Sequence, residues 1–199
     1  MYNRLLSLPE SSFFLLGSGG TGKSTFLKEA LPRAVTINLL EEKTFFAINS
    51  KPGAFAEILA ATNDGDWVIV DEVQRIPELL NEVHNAIVSR NLSFALCGSS
   101  ARKLKRSGTN LLAGRALQRY MGPFLPSELG QDFLIDKALT VGLLPVVWMS
   151  KSPRETLQSY VALYLKEEIQ AEAVVRNLSG FARFLKIASL FHGQVLNAS

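Results

Sequence analysis

The stretch Gly17-Ser18-Gly19-Gly20-Thr21-Gly22-Lys23-Ser24 directly follows the apolar run Phe13–Leu16. It matches the spacing G-x-x-x-x-G-K-[ST], in which glycines allow backbone N–H groups to turn inward around phosphate oxygens. Residues 25–31 have a helical pattern that stops at Pro32, so this helix would direct its positive N-terminal end at the same anion. A strand, a glycine loop and a helix in this order predict a phosphate site in an α/β fold.

The loop supplies most of the expected nucleotide contacts. Lys23 would place its ammonium on the β and γ phosphates, and the Ser24 hydroxyl would ligate Mg²⁺. A glycine-rich turn without a ligand is the alternative, but the complete string with the correct flanks favours phosphate binding. The predicted binding residues are Gly17, Gly19, Gly20, Thr21, Gly22, Lys23, Ser24 and Thr25.

A second motif places two carboxylates at the end of a buried strand. Residues 67–70 are apolar, and Asp71 and Glu72 follow them. Ligands of α/β sheets bind at the carboxyl ends of the strands, so Asp71 is expected to hold Mg²⁺ and Glu72 to orient the attacking water. The alternative is that the two carboxylates end a strand without a catalytic role. The presence of the phosphate loop in the same chain favours catalysis.

Strand and helix patterns alternate along the chain, which predicts a parallel sheet. The expected strands are 13–16, 35–40, 67–70, 94–97 and 117–124, and the expected helices are 25–31, 54–61 and a segment opened by Pro77 that runs to Arg90. After Met149 a polar linker precedes two helical patterns, residues 154–176 and 181–193. The predicted domains are therefore 1–149 and 150–199, the second being a short helical segment.

Composition sets limits on the environment. The chain has 199 residues, 47% of them hydrophobic and 20% charged, which excludes a disordered or collagen-like chain. A single cysteine, Cys97, excludes an intramolecular disulfide. No export signal is present, and the apolar stretch 143–149 is too short for a bilayer span. These observations predict a cytoplasmic protein without a membrane segment.

Charge is unevenly distributed although the net charge is only +3. No acidic residue occurs between Glu82 and Glu128, a segment that contains Arg90, Arg102, Lys103, Lys105, Arg106, Arg115 and Arg119. The cluster at 103–106 is more typical of a solvated loop, with a nucleic-acid contact as the minority interpretation. The two histidines and the cysteine are too far apart to predict a zinc site, so Mg²⁺ is the only metal expected.

Two further side chains are candidates for the reaction. Ser99 ends the fourth expected strand, from which its hydroxyl would reach the γ-phosphate or the water. Arg115, with Arg102 as the other candidate, would neutralise charge in the transition state. That arginine would act within its own chain or across a homo-oligomer, and the sequence leaves both open.

The chain resembles the prokaryotic AAA-type (AAA+ superfamily) P-loop ATPases that carry a C-terminal domain of unknown function. The resemblance spans nearly the whole chain and rests on six segments: 17–24, Asp71-Glu72-Val73-Gln74-Arg75-Ile76-Pro77, 98–100, Leu112-Ala113-Gly114-Arg115, 123–129 and 142–145. It implies an additional-strand, AAA/RecA-like fold with sheet order 5-1-4-3-2. It also implies ATP rather than GTP, Ser99 beside the loop, Glu72 facing the γ-phosphate, and residues 2–5 near the base.

The chain departs from this family in three respects. Similar proteins often have an arginine at the position of Gly19 and a threonine at that of Cys97, and neither difference removes a catalytic group. The family's second domain, a winged-helix or similar interaction module, continues well beyond residue 199. The resemblance therefore predicts a chain that is truncated within that domain.

Two functions remain open from the sequence. The first is Mg²⁺-dependent ATP hydrolysis, with Lys23, Glu72, Ser99 and Arg115 as the catalytic group. The alternative is an ATP-gated switch with negligible turnover, which would engage DNA or a protein partner through the basic segment or the C-terminal helices. A small-molecule kinase is disfavoured because no acceptor-binding motif is evident.

Overall fold

The structure, a computed structural model, describes residues 2–51, 53–99, 112–164 and 177–191. The chain divides into two compact units, Met1–Lys151 and Ser152–Ser199. This division lies two residues after the boundary expected at 149. The interpretation of the second unit as the start of a truncated domain stays a prediction.

A parallel sheet forms the centre of the first unit. Its described strands are β1 (Phe13–Leu16), β2 (Val35–Asn38), β3 (Trp67–Asp71), β4 (Ser93–Gly98) and β5 (Leu117–Tyr120). All neighbouring strands pair in parallel, and their order is β2-β3-β4-β1-β5. Read from the opposite edge, this is the expected order 5-1-4-3-2. The predicted α/β class and sheet are therefore confirmed.

Apolar side chains cover the sheet on both faces. Phe14 and Leu16 of β1 join a core cluster that includes residues of α2 (Glu42–Ser50), α3 (Ala54–Ala60) and α4 (Leu79–Arg90). Phe13 and Leu15 point the other way, into a cluster with Leu27 of α1 (Lys23–Ala30). A strand buried on both faces needs a continuous apolar sequence, which explains why Phe-Phe-Leu-Leu does not alternate with polar residues.

Three short helices follow the sheet in the first unit: α5 (Pro126–Leu129), α6 (Ile135–Val141) and α7 (Pro145–Trp148). Their core is formed by Phe124, Leu129 and Trp148, and Tyr2 packs against it. The N-terminal residues thus lie beside the segment that follows β5.

The second unit contains α8 (Pro153–Tyr164) and α9 (Leu178–Leu190) in its described residues. The predicted helix 154–176 is confirmed as far as Tyr164, and its remainder lies outside the described residues. Asn177 caps α9, since its side-chain oxygen accepts from the Gly180 N–H at 2.9 Å. In the described ranges of both units, no helix has the length and apolar character needed to cross a bilayer.

Local boundaries differ from the sequence expectations at several places, and four of these differences have a physical reason in the structure. Helix α2 was not expected, and it forms because Phe45 and Ile48 share a face that packs on the core. Strand β2 ends at Asn38 rather than at residue 40, because the Asn38 side chain accepts from the Leu40 N–H at 3.0 Å and turns the chain.

The other two differences involve prolines. Strand β5 ends at Tyr120 rather than at residue 124, because Gly122 and Pro123 follow the last ladder bond and proline has no N–H to donate. Helix α4 begins at Leu79 rather than at Pro77. The N–H groups of Leu79 and Leu80 donate to the carbonyl oxygens of Ile76 and Pro77, so tight turns with bonds three residues back precede the helix.

Candidate active site

The glycine loop has a backbone that side chains would obstruct. Gly20 and Gly22 have φ values of 76° and 87°, in the left-handed region that favours glycine. At Gly17 a Cβ would lie 2.2 Å from the carbonyl oxygen of Met121, the residue after β5, so the backbone there approaches the loop too closely for any side chain. By contrast, a Cβ at Gly19 would meet nothing within 4 Å. Position 19 therefore has space for a Cβ.

Lys23 directs its ammonium into this loop. Its Nζ donates to the carbonyl oxygens of Gly17 at 2.7 Å and Ser18 at 3.0 Å, and only 6% of the residue is exposed. Among the ion pairs of the described residues, none involves Lys23. A buried cation held only by backbone carbonyls is suited to an anionic ligand, which would replace these neutral partners with a charged one. The loop therefore fits a phosphate group.

Asp71, Glu72 and Lys23 all act electrostatically on the Cys97 thiol near the end of β4. Burial raises the pKa of the Cys97 thiol well above its usual range, and the nearby carboxylates of Asp71 and Glu72 act in the same direction, while Lys23 opposes them. Asp71 is 5% exposed and accepts from the Glu72 N–H at 3.1 Å. Ser24 is the second residue of α1, and its hydroxyl and the buried Asp71 carboxylate are oxygen groups of the kind that Mg²⁺ prefers.

Glu72 has an unusual backbone for a side chain of its size. Its φ of 57° lies in the left-handed region, which non-glycine residues adopt mainly at turns and functional sites. The residue is half-buried, and its Oε2 accepts a hydrogen bond from the Gln74 side chain. The same Gln74 amide nitrogen lies 3.4 Å from the Ser99 Oγ, so Glu72 and Ser99 share one neighbour.

A buried ion pair attaches the N-terminal segment to the loop. Arg4 Nε lies 3.1 Å from Glu128 Oε1, with side-chain exposures of 10% and 3%. The Arg4 guanidinium also donates to the carbonyl oxygens of Thr21 at 2.9 Å and Gly122 at 2.8 Å. Although burial itself acts to raise the pKa of Glu128, the net direction is downward, because the Leu125 and Leu5 N–H groups and Arg4 all donate to the carboxylate.

An apolar cavity of about 120 Å³ opens next to this ion pair and to the N-terminal end of α1. Its lining includes the rings of Tyr2, Phe26 and Phe124, with Gly22 of the loop at one side. Tyr2 and Phe124 pack edge to face with ring centroids 5.2 Å apart, and the Arg4 guanidinium lies 5.1 Å from the Phe124 centroid. A flat aromatic ligand attached to a phosphate in the loop would find apolar surface here.

The structure places some predicted residues apart from the site or does not describe them. Arg115 follows the 3-10 turn Leu112–Gly114 and is exposed, and within the described ranges no hydrogen bond joins its side chain to the loop. Arg102 and the basic cluster at 103–106 lie outside the described residues.

Sequence reasoning did not predict the contacts of three residues near the site. Arg4 and Glu128 are 124 positions apart, and nothing in either local sequence pairs them. Gln74 was part of the distinctive segment from Asp71 to Pro77, which was the one signal that pointed to it.

Comparison with known proteins identifies one matching family model and several solved structures of low sequence identity. Residues 10–130, more than half of the chain, match a family model described as an AAA domain. No curated protein matches the chain.

Solved structures with similar folds include a Walker-type ATPase of Pyrococcus abyssi. It is 18% identical, with 89% of this chain and 69% of that chain covered and a TM-score of 0.44. The Aeropyrum pernix ORC1 protein, in a complex with DNA, is 17% identical over 89% of this chain and 59% of its own, with a TM-score of 0.45. Drosophila ORC bound to DNA is 18% identical over 83% of this chain and 52% of its own, with a TM-score of 0.39. The chain thus spans little more than half of the two ORC chains.

Proposed function

The chain belongs to the AAA domain family, and on that premise we propose that it binds ATP with Mg²⁺ and hydrolyses the terminal phosphate. The observation that carries the proposal is the Lys23 ammonium, which is buried in the glycine loop and, among the described residues, donates to the Gly17 and Ser18 carbonyl oxygens. A cation in this position supports binding of the β and γ phosphates, with the loop N–H groups and the start of α1 around them.

Mg²⁺ fits the oxygen donors near the loop. The Ser24 hydroxyl and the Asp71 carboxylate would hold the ion, and Mg²⁺ supplies charge neutralisation on the phosphate oxygens when bound. The adjacent cavity beside Tyr2, Phe26 and Phe124 supports an adenine base as the remaining part of the ligand.

Glu72 is proposed to orient the attacking water. In hydrolysis the water oxygen forms a bond to the γ phosphorus, the bond from that phosphorus to the bridging oxygen of ADP breaks, and a water proton passes to a carboxylate or a phosphate oxygen. Ser99 is proposed to contact the γ-phosphate, and its position next to the Gln74 amide that also bonds Glu72 supports this role.

Arg115 is proposed as the arginine that neutralises transition-state charge. Its exposed position supports action on a neighbouring copy of the chain, as in a homo-oligomer, rather than on its own loop. DNA or a protein partner would be engaged through the basic segment, whose cluster at 103–106 lies outside the described residues, or through the C-terminal helices.

The experiment is phosphate release from Mg-ATP at several protein concentrations. We expect Glu72→Gln to reduce the rate by about a hundredfold or more while ATP affinity is retained, since a positioning group acts on turnover rather than on binding. Glu78→Gln is the matched control, because Glu78 is an exposed carboxylate in the same segment. If the wild type releases phosphate no faster than Glu72→Gln, hydrolysis that depends on Glu72 would be overturned, and the ATP-gated switch would be favoured.

A further inference from the structure

Gln74 links two groups of the candidate active site. It lies in the 3-10 turn Val73–Arg75, directly after Glu72. Its Nε2 donates to the Glu72 Oε2 and lies 3.4 Å from the Ser99 Oγ. A carboxylate only accepts hydrogen bonds, so the amide must present its nitrogen to Glu72 and its oxygen to the other side. The orientation of this side chain is therefore determined by the carboxylate.

The space occupied by the amide oxygen exists because residue 98 is glycine. The Oε1 of Gln74 is buried and has no hydrogen-bond partner among the described residues. A Cβ at Gly98 would lie 2.5 Å from this oxygen, whereas the next nearest side chain, Val73, would be 4.0 Å away. A buried amide oxygen without a partner costs free energy, so the arrangement is not explained by stability alone.

We propose that Gln74 is a positioning residue that holds the Glu72 carboxylate toward the end of β4, and hence toward the phosphate loop. Strand β4 lies between β3, which carries Asp71, and β1, which leads into the loop, so a tie from Glu72 to Ser99 draws the carboxylate toward the strand next to β1. Loss of this tie would shift the Glu72 carboxylate, and a displacement of about 1 Å costs on the order of a hundredfold in rate. The inference rests on the proposed hydrolysis.

The test compares three variants with the wild type: Gln74→Ala, Gly98→Ala and the double variant. Gln74→Ala removes the donor, and Gly98→Ala displaces the same amide by its Cβ. We expect each single variant to lower kcat for ATP by about ten- to a hundredfold with KM changed less than threefold, because a positioning group acts on turnover. The double variant should be no slower than Gln74→Ala, since the smaller side chain leaves room for the new methyl group.

A control and a background variant separate positioning from a general structural effect. Gln131→Met, at an exposed position, should leave kcat unchanged. In a Glu72→Gln background, Gln74→Ala should add no further loss, because Gln74 acts through Glu72. Thermal unfolding of each variant is recorded, and Gln74→Met, which keeps the side-chain volume, replaces Gln74→Ala if the latter unfolds below the assay temperature.

The outcomes separate the two proposals. Turnover that needs Glu72 but is unaffected by Gln74→Ala and Gln74→Met would overturn the positioning role and leave the proposed function in place. Independent losses that multiply in the double variant, or a further loss in the Glu72→Gln background, would also overturn it. No turnover by the wild type would overturn the proposed function, and the positioning role with it.

Discussion

The ion pair between Arg4 and Glu128 offers a perturbation whose cost can be worked out from the structure. Arg4→Met removes the cation and keeps most of the side-chain length, which leaves the Glu128 carboxylate 3% exposed without its charged partner. Breaking a buried pair in this way costs about 3–5 kcal/mol. In a domain of 150–250 residues, that cost lowers Tm by about 2–4 °C per kcal/mol, or about 6–20 °C in total.

The assay is thermal and denaturant unfolding of Arg4→Met, Glu128→Gln and the double variant. The Leu5 and Leu125 N–H groups donate to different oxygens of Glu128, and glutamine keeps only one oxygen, so it can accept from one of them. The double variant should therefore recover part of the loss, about 1 kcal/mol or more relative to Arg4→Met, because no buried charge is left unpaired. A loss below about 1 kcal/mol for Arg4→Met would refute the reasoning, because it would show that the pair behaves as an exposed one.

The same carboxylate predicts a pH dependence. The pKa of Glu128 is lowered in the folded chain, so its contribution to stability is present above its ordinary pKa of 4.5 and is lost as the pH falls through the folded value. The difference in unfolding free energy between the wild type and Glu128→Gln should therefore shrink below about pH 4.5. A difference that stays constant from pH 7 to pH 3 would contradict this assignment.

Three other predictions concern the loop, the buried thiol and the exposed arginine. Gly17→Ala should abolish ATP binding and lower Tm, because its Cβ would lie 2.2 Å from the Met121 carbonyl, and titration with a fluorescent ATP analogue measures the loss. The Cys97 thiol should resist a thiol reagent at neutral pH until the chain unfolds, because burial raises its pKa, and fast labelling of folded protein would contradict this. Arg115→Ala should lower turnover. If the arginine acts between copies, mixing this variant with Glu72→Gln should restore activity, because the Glu72→Gln chain supplies Arg115 to the intact site of the Arg115→Ala chain. Arg119→Ala is the matched control, and absence of rescue would exclude that arrangement.

The sequence was sufficient for the sheet because its signals are local. A glycine loop after Phe13–Leu16 and a carboxylate after residues 67–70 each depend on neighbouring residues, and the strand order followed from the resemblance. Helix α2 was missed because Phe45 and Ile48 give only a weak periodic signal between polar residues. Its formation depends on packing against the core rather than on propensity.

The candidate site was only partly predictable for a related reason. The roles of Lys23 and Asp71 follow from their charged side chains and their motifs. The contacts of Gln74 instead depend on a turn in which Glu72 has a left-handed backbone conformation. The Arg4–Glu128 pair joins the two ends of the first unit across more than a hundred residues, and single-sequence patterns carry no signal at that separation.

The nucleotide that stays bound after incubation with Mg-ATP and rapid desalting tests the proposed chemistry most directly. We expect mainly ADP on the wild type, intact ATP on Glu72→Gln, and no nucleotide on Lys23→Ala, as identified by chromatography of the released material. This pattern would assign binding to the lysine and hydrolysis to the glutamate. The same nucleotide on the wild type and Glu72→Gln, or retention by Lys23→Ala, would contradict the proposed ATPase.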